Sequence, residues 1–336
     1  MTKSKKNLII SAVCLIAIVL TALAVFAGVS HFYYHRSFSA SIYEMKIGLS
    51  DMDEAFETQE GFTQLYTQAK NKQLSDEAYV IPEDVKLSVS AQSKEKHGIQ
   101  VFYLAKEKLS ESDSVIFYFY GGEFLSEISK DHWKLIDTIA KETGLPVIVP
   151  LYPTLPRYTA KDANEVLTAL YKDTAKKKNI EHIYFVGDSS GGNLTLSLAK
   201  TLRDEKVTQP EKLIMIAPWL EMTMKNKDIA AIEKKDNVLG IYGLKELGDM
   251  WSGKMAKTNA IVSPVYSTDE NLGEITIFAP TNDILYPDTL SYSESLTAQK
   301  IEHSFITREN LSHNYIFYPS AEAKQDIAAI CKEITE

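Results

Sequence analysis

The stretch 187–193, with the sequence GDSSGGN, constrains this chain more than any other. It follows an apolar, β-prone run at 182–186 and precedes an amphipathic stretch at 194–202 that lacks proline and glycine. The order strand, G-x-S-x-G, helix predicts a sharp turn that projects the Ser189 hydroxyl above a sheet. Glycines suit such a turn, and the helix N-terminus offers N–H groups where an oxyanion would form. The alternative is a tight turn in which Ser189 merely caps the helix.

Composition limits the classes of protein to consider. The chain has 336 residues, of which 45% are hydrophobic, so it can bury a large core as one large or two small domains. Its net charge of −9, without a basic cluster, argues against a nucleic-acid partner. The two cysteines, Cys14 and Cys331, lie in unrelated segments and no zinc-type spacing is present. We therefore expect no intramolecular disulfide and no metal site.

The N-terminus predicts a membrane anchor. Residues 8–29 are uncharged and overwhelmingly apolar, and as a helix they would span about 33 Å, enough to cross a bilayer. Lysines precede this run and aromatic residues at 32–34 follow it. This asymmetry predicts a cytoplasmic N-terminus, a single pass through the cell membrane, and an extracellular domain.

A cleaved signal peptide is the competing interpretation of the same segment. The tripeptides at 22–24 and 25–27 are acceptable cleavage sites, and cleavage would release a secreted domain. The apolar run is, however, longer than a usual signal-peptide core, which favours an uncleaved anchor. We accordingly divide the chain into an anchor with its flanks at 1–36 and a globular domain at 37–336.

The rest of the chain alternates between strand and helix patterns. Residues 37–78 predict two helices, and paired strands are expected near 86–90 and 99–104. Dense apolar strands then alternate with helical patterns, which predicts an α/β fold with a mostly parallel sheet. The predicted strands lie at 115–120, 147–151, 183–186, 213–216 and 275–279, and the predicted helices at 131–143, 160–178, 193–205 and 286–299. The long methionine-containing interruption at 219–265 is either ordinary helical core or a mobile apolar lid.

An acyl-transfer serine needs a base and a group that orients that base. The histidines after Ser189 are His303, at the start of a predicted strand, and His313, beyond its end. A loop past the carboxyl end of a strand is where a base would reach the serine, so His313 is favoured. By the same reasoning Asp283, the first acid after another strand, is favoured over Asp288, which is expected at a helix start.

Donors for an oxyanion are expected after the third strand. Gly121 and Gly122 would let the backbone approach a substrate with exposed N–H groups, although a glycine pair alone is usually a loop. The N–H of Ser190, next to the nucleophile, would be the remaining donor.

These motifs together resemble the hormone-sensitive-lipase-like branch of bacterial esterases and lipases. GDSSGGN at 187–193 is similar to the G-D-S-A-G-G-N of that branch, and YGGEF at 120–124 to its H-G-G-G-F. The resemblance covers roughly residues 80–320. Further matching motifs are PWL at 218–220, SP at 263–264, NDILYPD at 282–288 and SHNYIFYP at 312–319. The order serine, aspartate, histidine is that of the α/β-hydrolase fold.

The resemblance implies an α/β-hydrolase fold with a mostly parallel eight-stranded sheet flanked by helices. It also implies ester hydrolysis without metal or cofactor, and a helical cap from about 37–80 and 219–262. Two positions depart from the pattern, since Tyr120 replaces a histidine and Glu123 a glycine. Tyr120 is expected to hold the loop through its hydroxyl. Glu123 is expected either near the pocket mouth or as a solvated loop acid.

The leading functional hypothesis is a membrane-anchored serine carboxylesterase or lipase that forms an acyl-enzyme from small-molecule or lipid-like esters. A second hypothesis is an O-deacetylase or amidase that acts on cell-wall glycan or peptide with the same residues. A third is a non-catalytic surface binding protein that retains the fold.

Overall fold

The computed structural model describes residues 3–50, 52–73, 78–106 and 109–336. Its strands are β1 (Ser90–Lys96), β2 (Ile99–Ala105), β3 (Ser114–Phe119), β4 (Val147–Pro150), β5 (His182–Asp188), β6 (Lys212–Ile216), β7 (Glu274–Asn282) and β8 (His303–Ser312). Its helices are α1 (Lys3–Phe32), α2 (Phe38–Ile47), α3 (Glu54–Glu57), α4 (Gln59–Gln73), α5 (Lys130–Thr143), α6 (Ala160–Ala175), α7 (Ser190–Asp204), α8 (Ile229–Glu233), α9 (Ile241–Ser252), α10 (Tyr286–Ala298) and α11 (Ala321–Thr335).

One eight-stranded sheet, in the order β1-β2-β4-β3-β5-β6-β7-β8, organises the domain. β1 pairs antiparallel with β2, and β2 antiparallel with β4, whereas all the other neighbouring strands are parallel. The central strands β3 to β6 are buried almost throughout, as expected for parallel strands covered by helices on both faces. The predicted fold class is therefore confirmed.

The first strand begins later than the sequence pattern predicts. Residues 86–89 alternate in polarity, but they precede β1 and contact α5 instead of pairing with a strand. The N–H groups of Ser88 and Val89 both donate to Asp137 of α5, at 2.7 and 3.1 Å. This side-chain acceptor satisfies the backbone locally, so the segment needs no strand partner.

The helices predicted within residues 37–78 lie outside the strand–helix alternation and pack in two different places. α3 and α4 pack against α9, where Phe56 lies against Gly243 and the rings of Phe62 and Tyr242 are 6.1 Å apart. α2 does not join them, because it packs against β8 and α11. The two helices predicted within 37–78 are thus three, and residues 51 and 74–77 of that range lie outside the described part.

α1 is a long apolar helix with its hydrophobic side chains exposed. Ile10, Leu15 and Ile18 are 60, 63 and 66% exposed. Within the described residues, Ser4–Phe32 is the helix long and apolar enough to cross a membrane. At its end, the ring of Phe26 packs edge-on to Phe38 of α2 at 5.3 Å. Exposed apolar surface of this extent is typical of sites that bind a membrane or another protein.

Parallel pairing sets the position of the predicted site. β5, β7 and β8 run in the same direction, so their carboxyl ends lie at one edge of the sheet. Ser189, Asp283 and His313 each follow one of these ends directly. Three residues that are far apart in the sequence are therefore brought to the same edge.

Candidate active site

Ser189 occupies a strained turn between β5 and α7. Its φ of 52° and ψ of −121° are rarely adopted by residues other than glycine, and such strain concentrates at functional sites. Its N–H donates to the Ile216 carbonyl at 2.9 Å, and its carbonyl accepts from Trp219 N–H at 3.0 Å. At Gly191, a Cβ atom would overlap the backbone carbonyl of Phe119. The glycine is thus required by the close approach of α7 to β3.

Asp283 and His313 form a buried pair. The register of β7 and β8 pairs Asn282 with Ser312, which places the two following residues side by side. Oδ2 of Asp283 lies 2.8 Å from Nδ1 of His313, and the side chains are only 1% and 2% exposed. A carboxylate can only accept, so Nδ1 carries the proton and Nε2 of the neutral ring is free to accept one.

The alternative histidine and aspartate lie elsewhere. His303 begins β8, at the strand end opposite to Ser312, and its Nε2 lies 2.7 Å from the Ser293 hydroxyl. Asp288 lies in the first turn of α10, where burial raises its pKa to about 6. The structure brings neither of them to His313 or Asp283.

Ser189 and His313 line one cavity of about 270 Å³. Glu123, Asn314 and Phe317 line it as well, together with two serines of residues 120–129, the glycine loop. Glu123 is half-buried with a φ of 54°, and its burial raises the pKa of its carboxyl despite the nearby histidines. It therefore lines the cavity, and its half-buried side chain keeps part of its surface in solvent.

Electrostatics around His313 favour its protonated form. Burial alone would lower the pKa of the imidazole. The negative charge and hydrogen bond of Asp283 outweigh burial, and with the charges of Asp236 and Glu123 they raise the pKa to about 9. The site is therefore arranged to stabilise an imidazolium, the form that a base takes after it accepts a proton.

The glycine loop differs in one respect from expectation. The N–H of Gly121 donates to Oδ1 of Asp188 at 3.1 Å, so it is not available to an oxyanion, and its assignment as a donor is wrong. In the described part of the chain, no residue accepts from the N–H of Gly122 or Glu123. Ser190 opens α7, where the first N–H groups have no partner within the helix.

Asp188 fixes this loop through contacts that sequence reasoning missed. Its carboxylate accepts from the Tyr118 hydroxyl at 2.7 Å and lies 3.0 Å from Nε2 of His132. Burial would raise the pKa of Asp188, but these partners together lower it. Asp188 is the residue before Ser189, so a single charged side chain joins the serine turn to Gly121.

Tyr120 contributes differently from the prediction. Its ring stacks on that of Tyr152 at 4.6 Å, and its carbonyl accepts from the Tyr152 hydroxyl at 2.7 Å. The hydroxyl that holds the loop here is therefore that of Tyr152, and Tyr120 supplies the carbonyl and the stacking surface.

A second carboxylate lies behind Asp283. Asp236 precedes α9 and accepts from the N–H groups of Val238, Leu239 and Ile284, at 2.8, 3.0 and 2.8 Å. Burial, followed by the charge of Asp283, raises its pKa to about 7. No local motif marks Asp236, because its neighbour Ile284 is distant in sequence.

Two relatives share parts of this chain. A triacylglycerol lipase of Mycobacterium tuberculosis is 24% identical over 198 residues, which is 59% of this chain and 41% of the lipase. An esterase of Acinetobacter venetianus is 24% identical over 233 residues, 67% of this chain and 76% of the esterase. The chain thus spans less than half of the first relative.

Solved structures share the fold of this chain. A Staphylococcus aureus structure superposes with a TM-score of 0.79 at 24% identity, covering 85% of this chain and 96% of the other. A hormone-sensitive lipase from a metagenome library gives 0.70 at 20% identity, covering 83% and 99%. The family model for the alpha/beta hydrolase fold matches residues 116–317, the range that holds Ser189, Asp283 and His313. This protein therefore belongs to the α/β-hydrolase family.

Proposed function

We propose that this protein is a serine carboxylesterase in which Ser189, His313 and Asp283 act as a triad. The observation that carries the proposal is the buried Asp283–His313 pair, with His313 and the strained Ser189 lining one cavity. The names of the two relatives, a triacylglycerol lipase and an esterase, support the same reaction class.

In acylation, the Ser189 hydroxyl attacks the ester carbonyl carbon and passes its proton to Nε2 of His313. Asp283 holds the Nδ1 proton and stabilises the imidazolium. The carbonyl oxygen becomes an oxyanion, which accepts hydrogen bonds from backbone N–H groups of Gly122, Glu123 and Ser190. Collapse breaks the ester C–O bond, and the alcohol leaves with the proton held by His313.

Deacylation repeats these steps with water. His313 takes a proton from water, hydroxide adds to the acyl carbon, and the second oxyanion forms at the same N–H groups. Its collapse breaks the bond to Ser189 and returns the proton to the serine oxygen. The products are an alcohol, a carboxylic acid and unchanged enzyme.

The cavity favours small polar substrates. At about 270 Å³ it is slightly smaller than the usual ligand pocket of about 300–1,000 Å³, and its lining includes Ser126, Ser129, Glu123 and Asn314. We propose short acyl groups, with acetyl esters preferred to long-chain ones. An O-deacetylase that acts on hydroxylated glycans is the variant of the function that this polar lining favours.

We further propose that α1 remains as a membrane anchor and that α3, α4 and the segment 219–262 form a cap. The exposed apolar surface of α1 supports the first proposal. The packing of α3 and α4 on α9 supports the second. The domain would then lie outside the cell membrane, next to its substrates.

The test uses the full chain in detergent micelles with p-nitrophenyl esters of increasing acyl length. We expect kcat/KM to be highest for the acetyl or butyryl ester, and Ser189→Ala to lower kcat by on the order of 10⁴-fold or more. Ser197→Ala, which removes another buried hydroxyl on α7, should leave kcat within about twofold.

A serine-directed organophosphonate should inactivate the protein and label Ser189. Full activity in Ser189→Ala would reject the nucleophile, and a folded wild-type protein that hydrolyses no ester in the panel would favour the binding-protein hypothesis. A preference for long acyl chains would reject the short-chain substrate class while leaving the triad in place.

A further inference from the structure

The residue before His313 is held by a buried carboxylate from the N-terminal part of the chain. Oε1 of Glu44, on α2, accepts from the Ser312 N–H at 2.8 Å, and its Oε2 accepts from the Ser312 hydroxyl at 2.5 Å. Glu44 is 6% exposed and Ser312 is fully buried. Two charge-assisted hydrogen bonds to one residue fix both its backbone and its side chain.

The segment between α1 and α2 holds the same loop further upstream. Nη1 of Arg36 donates to the Asn310 carbonyl at 2.6 Å, and it lies 3.8 Å from Oε2 of Glu44. The Asn310 side chain donates back to the carbonyl of Tyr34 at 3.1 Å. Asn310, Arg36 and Glu44 are thus connected in one network.

The part of the chain that follows His313 also contacts α2. The ring of Tyr43 stacks on that of Tyr318 at 5.3 Å, with 19° between the ring planes. Tyr318 is 6% exposed and follows the short 3-10 turn after the histidine. The segment 34–44 therefore contacts the chain both before and after His313.

The sheet alone does not determine this loop. The pairing of β7 with β8 becomes irregular between Pro280 and Asn282, close to Ser312. A register irregularity leaves backbone groups to be satisfied by other partners and lets the strand change direction. At this point the Glu44 carboxylate is the partner of Ser312.

We propose that Glu44 is a positioning residue for His313, and that its carboxylate, on the helix that follows the apolar N-terminal helix, sets the place of the imidazole through Ser312. The proposal rests on the proposed function, in which His313 is the base. A displacement of a catalytic group by about 1 Å can cost on the order of 10²-fold in rate, so contacts that fix its loop act on kcat.

The chain offers a matched control. Glu322 of α11 also accepts two hydrogen bonds from the same segment, from the N–H and the hydroxyl of Ser37, at 2.5 and 2.7 Å. It attaches the segment to α11, and Ser312 is not among its hydrogen-bond partners in the described part of the chain. Glu322→Ala therefore removes the attachment of Ser37 to α11, while both hydrogen bonds between Glu44 and Ser312 stay in place.

The experiment measures kcat and KM for p-nitrophenyl acetate with the full chain in micelles. For Glu44→Ala we expect kcat to fall about tenfold to a hundredfold while KM changes by less than about twofold. Glu44→Gln keeps an oxygen for the Ser312 N–H, so it should recover part of kcat. Glu322→Ala should keep kcat within about twofold of wild type.

Ser312→Ala provides a second route if Glu44→Ala does not fold, because it removes only a hydroxyl. It should lower kcat, and the double variant Glu44→Gln with Ser312→Ala should fall by less than the product of the two single effects. Equal losses of kcat in Glu44→Ala and Glu322→Ala, or wild-type kcat in both Ser312→Ala and Glu44→Gln, would overturn the positioning role. Full activity in Ser189→Ala would instead reject the proposed function itself.

Discussion

The carboxylate of Asp283 lies 2.8 Å from Nδ1 of His313, and both side chains are excluded from water. The other oxygen of Asp283 accepts from the N–H of Leu285 at 2.8 Å, which fixes the orientation of the carboxylate. This arrangement selects the tautomer with a free Nε2 and stabilises the protonated ring.

Asp283→Asn should lower kcat by on the order of 10⁴-fold while leaving the protein folded. The amide can donate to Nδ1 and so favours the tautomer with the proton on Nε2, which cannot accept from Ser189. The measurement is kcat for p-nitrophenyl acetate, with far-UV circular dichroism as the check on folding. Asp288→Asn is the matched control, and its activity should stay close to wild type. Equal losses in the two variants would contradict the assignment of Asp283.

The rate should rise with pH up to about pH 9. His313 acts as a base only when neutral, and its pKa is raised to about 9, so kcat/KM increases through neutral pH and levels off above that value. Asp236→Asn removes one of the charges that raise this pKa, so the midpoint should move to lower pH. A wild-type midpoint below pH 6.5 would contradict this electrostatic picture.

The stability of the folded protein should fall as pH rises to about 9, whereas the rate of hydrolysis increases. A pKa raised from 6.5 to about 9 on folding adds stability that is complete below pH 6.5 and is lost as pH rises through 9. The free energy of unfolding, measured with urea, should therefore decline from pH 6.5 to 9 through this group while activity increases. Replacing His313 with glutamine should remove this part of the pH dependence.

Lys200→Met should destabilise the domain by about 3–5 kcal/mol. Nζ of Lys200 lies 2.7 Å from Oδ1 of Asp269, and both side chains are 2% exposed, so the variant leaves a buried charge without its cation. Urea denaturation measures the change. Lys172→Met breaks an exposed pair with Glu205, which should cost no more than about 1 kcal/mol. Similar losses in the two variants would show that burial does not decide the effect.

The chain should fractionate with membranes at its full length. Its apolar helix exposes large hydrophobic side chains that bilayer lipid would cover. Protease added to cells without walls should digest the domain. A soluble mature protein that begins near Phe26 or Gly28 would indicate a cleaved signal peptide instead.

Elements with local signals can be predicted from the amino-acid sequence alone. The apolar run before GDSSGGN and the helix pattern after it predict the turn at Ser189, since strand, turn and helix preferences act between neighbours. The alternation of strands and helices predicts the class of fold. The expected positions of Asp283 and His313, each just past a strand, follow from the common direction of parallel strands.

The groups that surround this site depend on the tertiary fold. Glu44 and Ser312 are 268 residues apart in sequence, and Asp236 receives the N–H of Ile284 from 48 residues away. The N–H of Gly121 is used by Asp188 because β3 and β5 are neighbours in the sheet. The fold determines which polar groups are buried. A buried polar group needs a hydrogen-bond partner, and that partner is a donor or acceptor nearby in space, regardless of its place in the sequence.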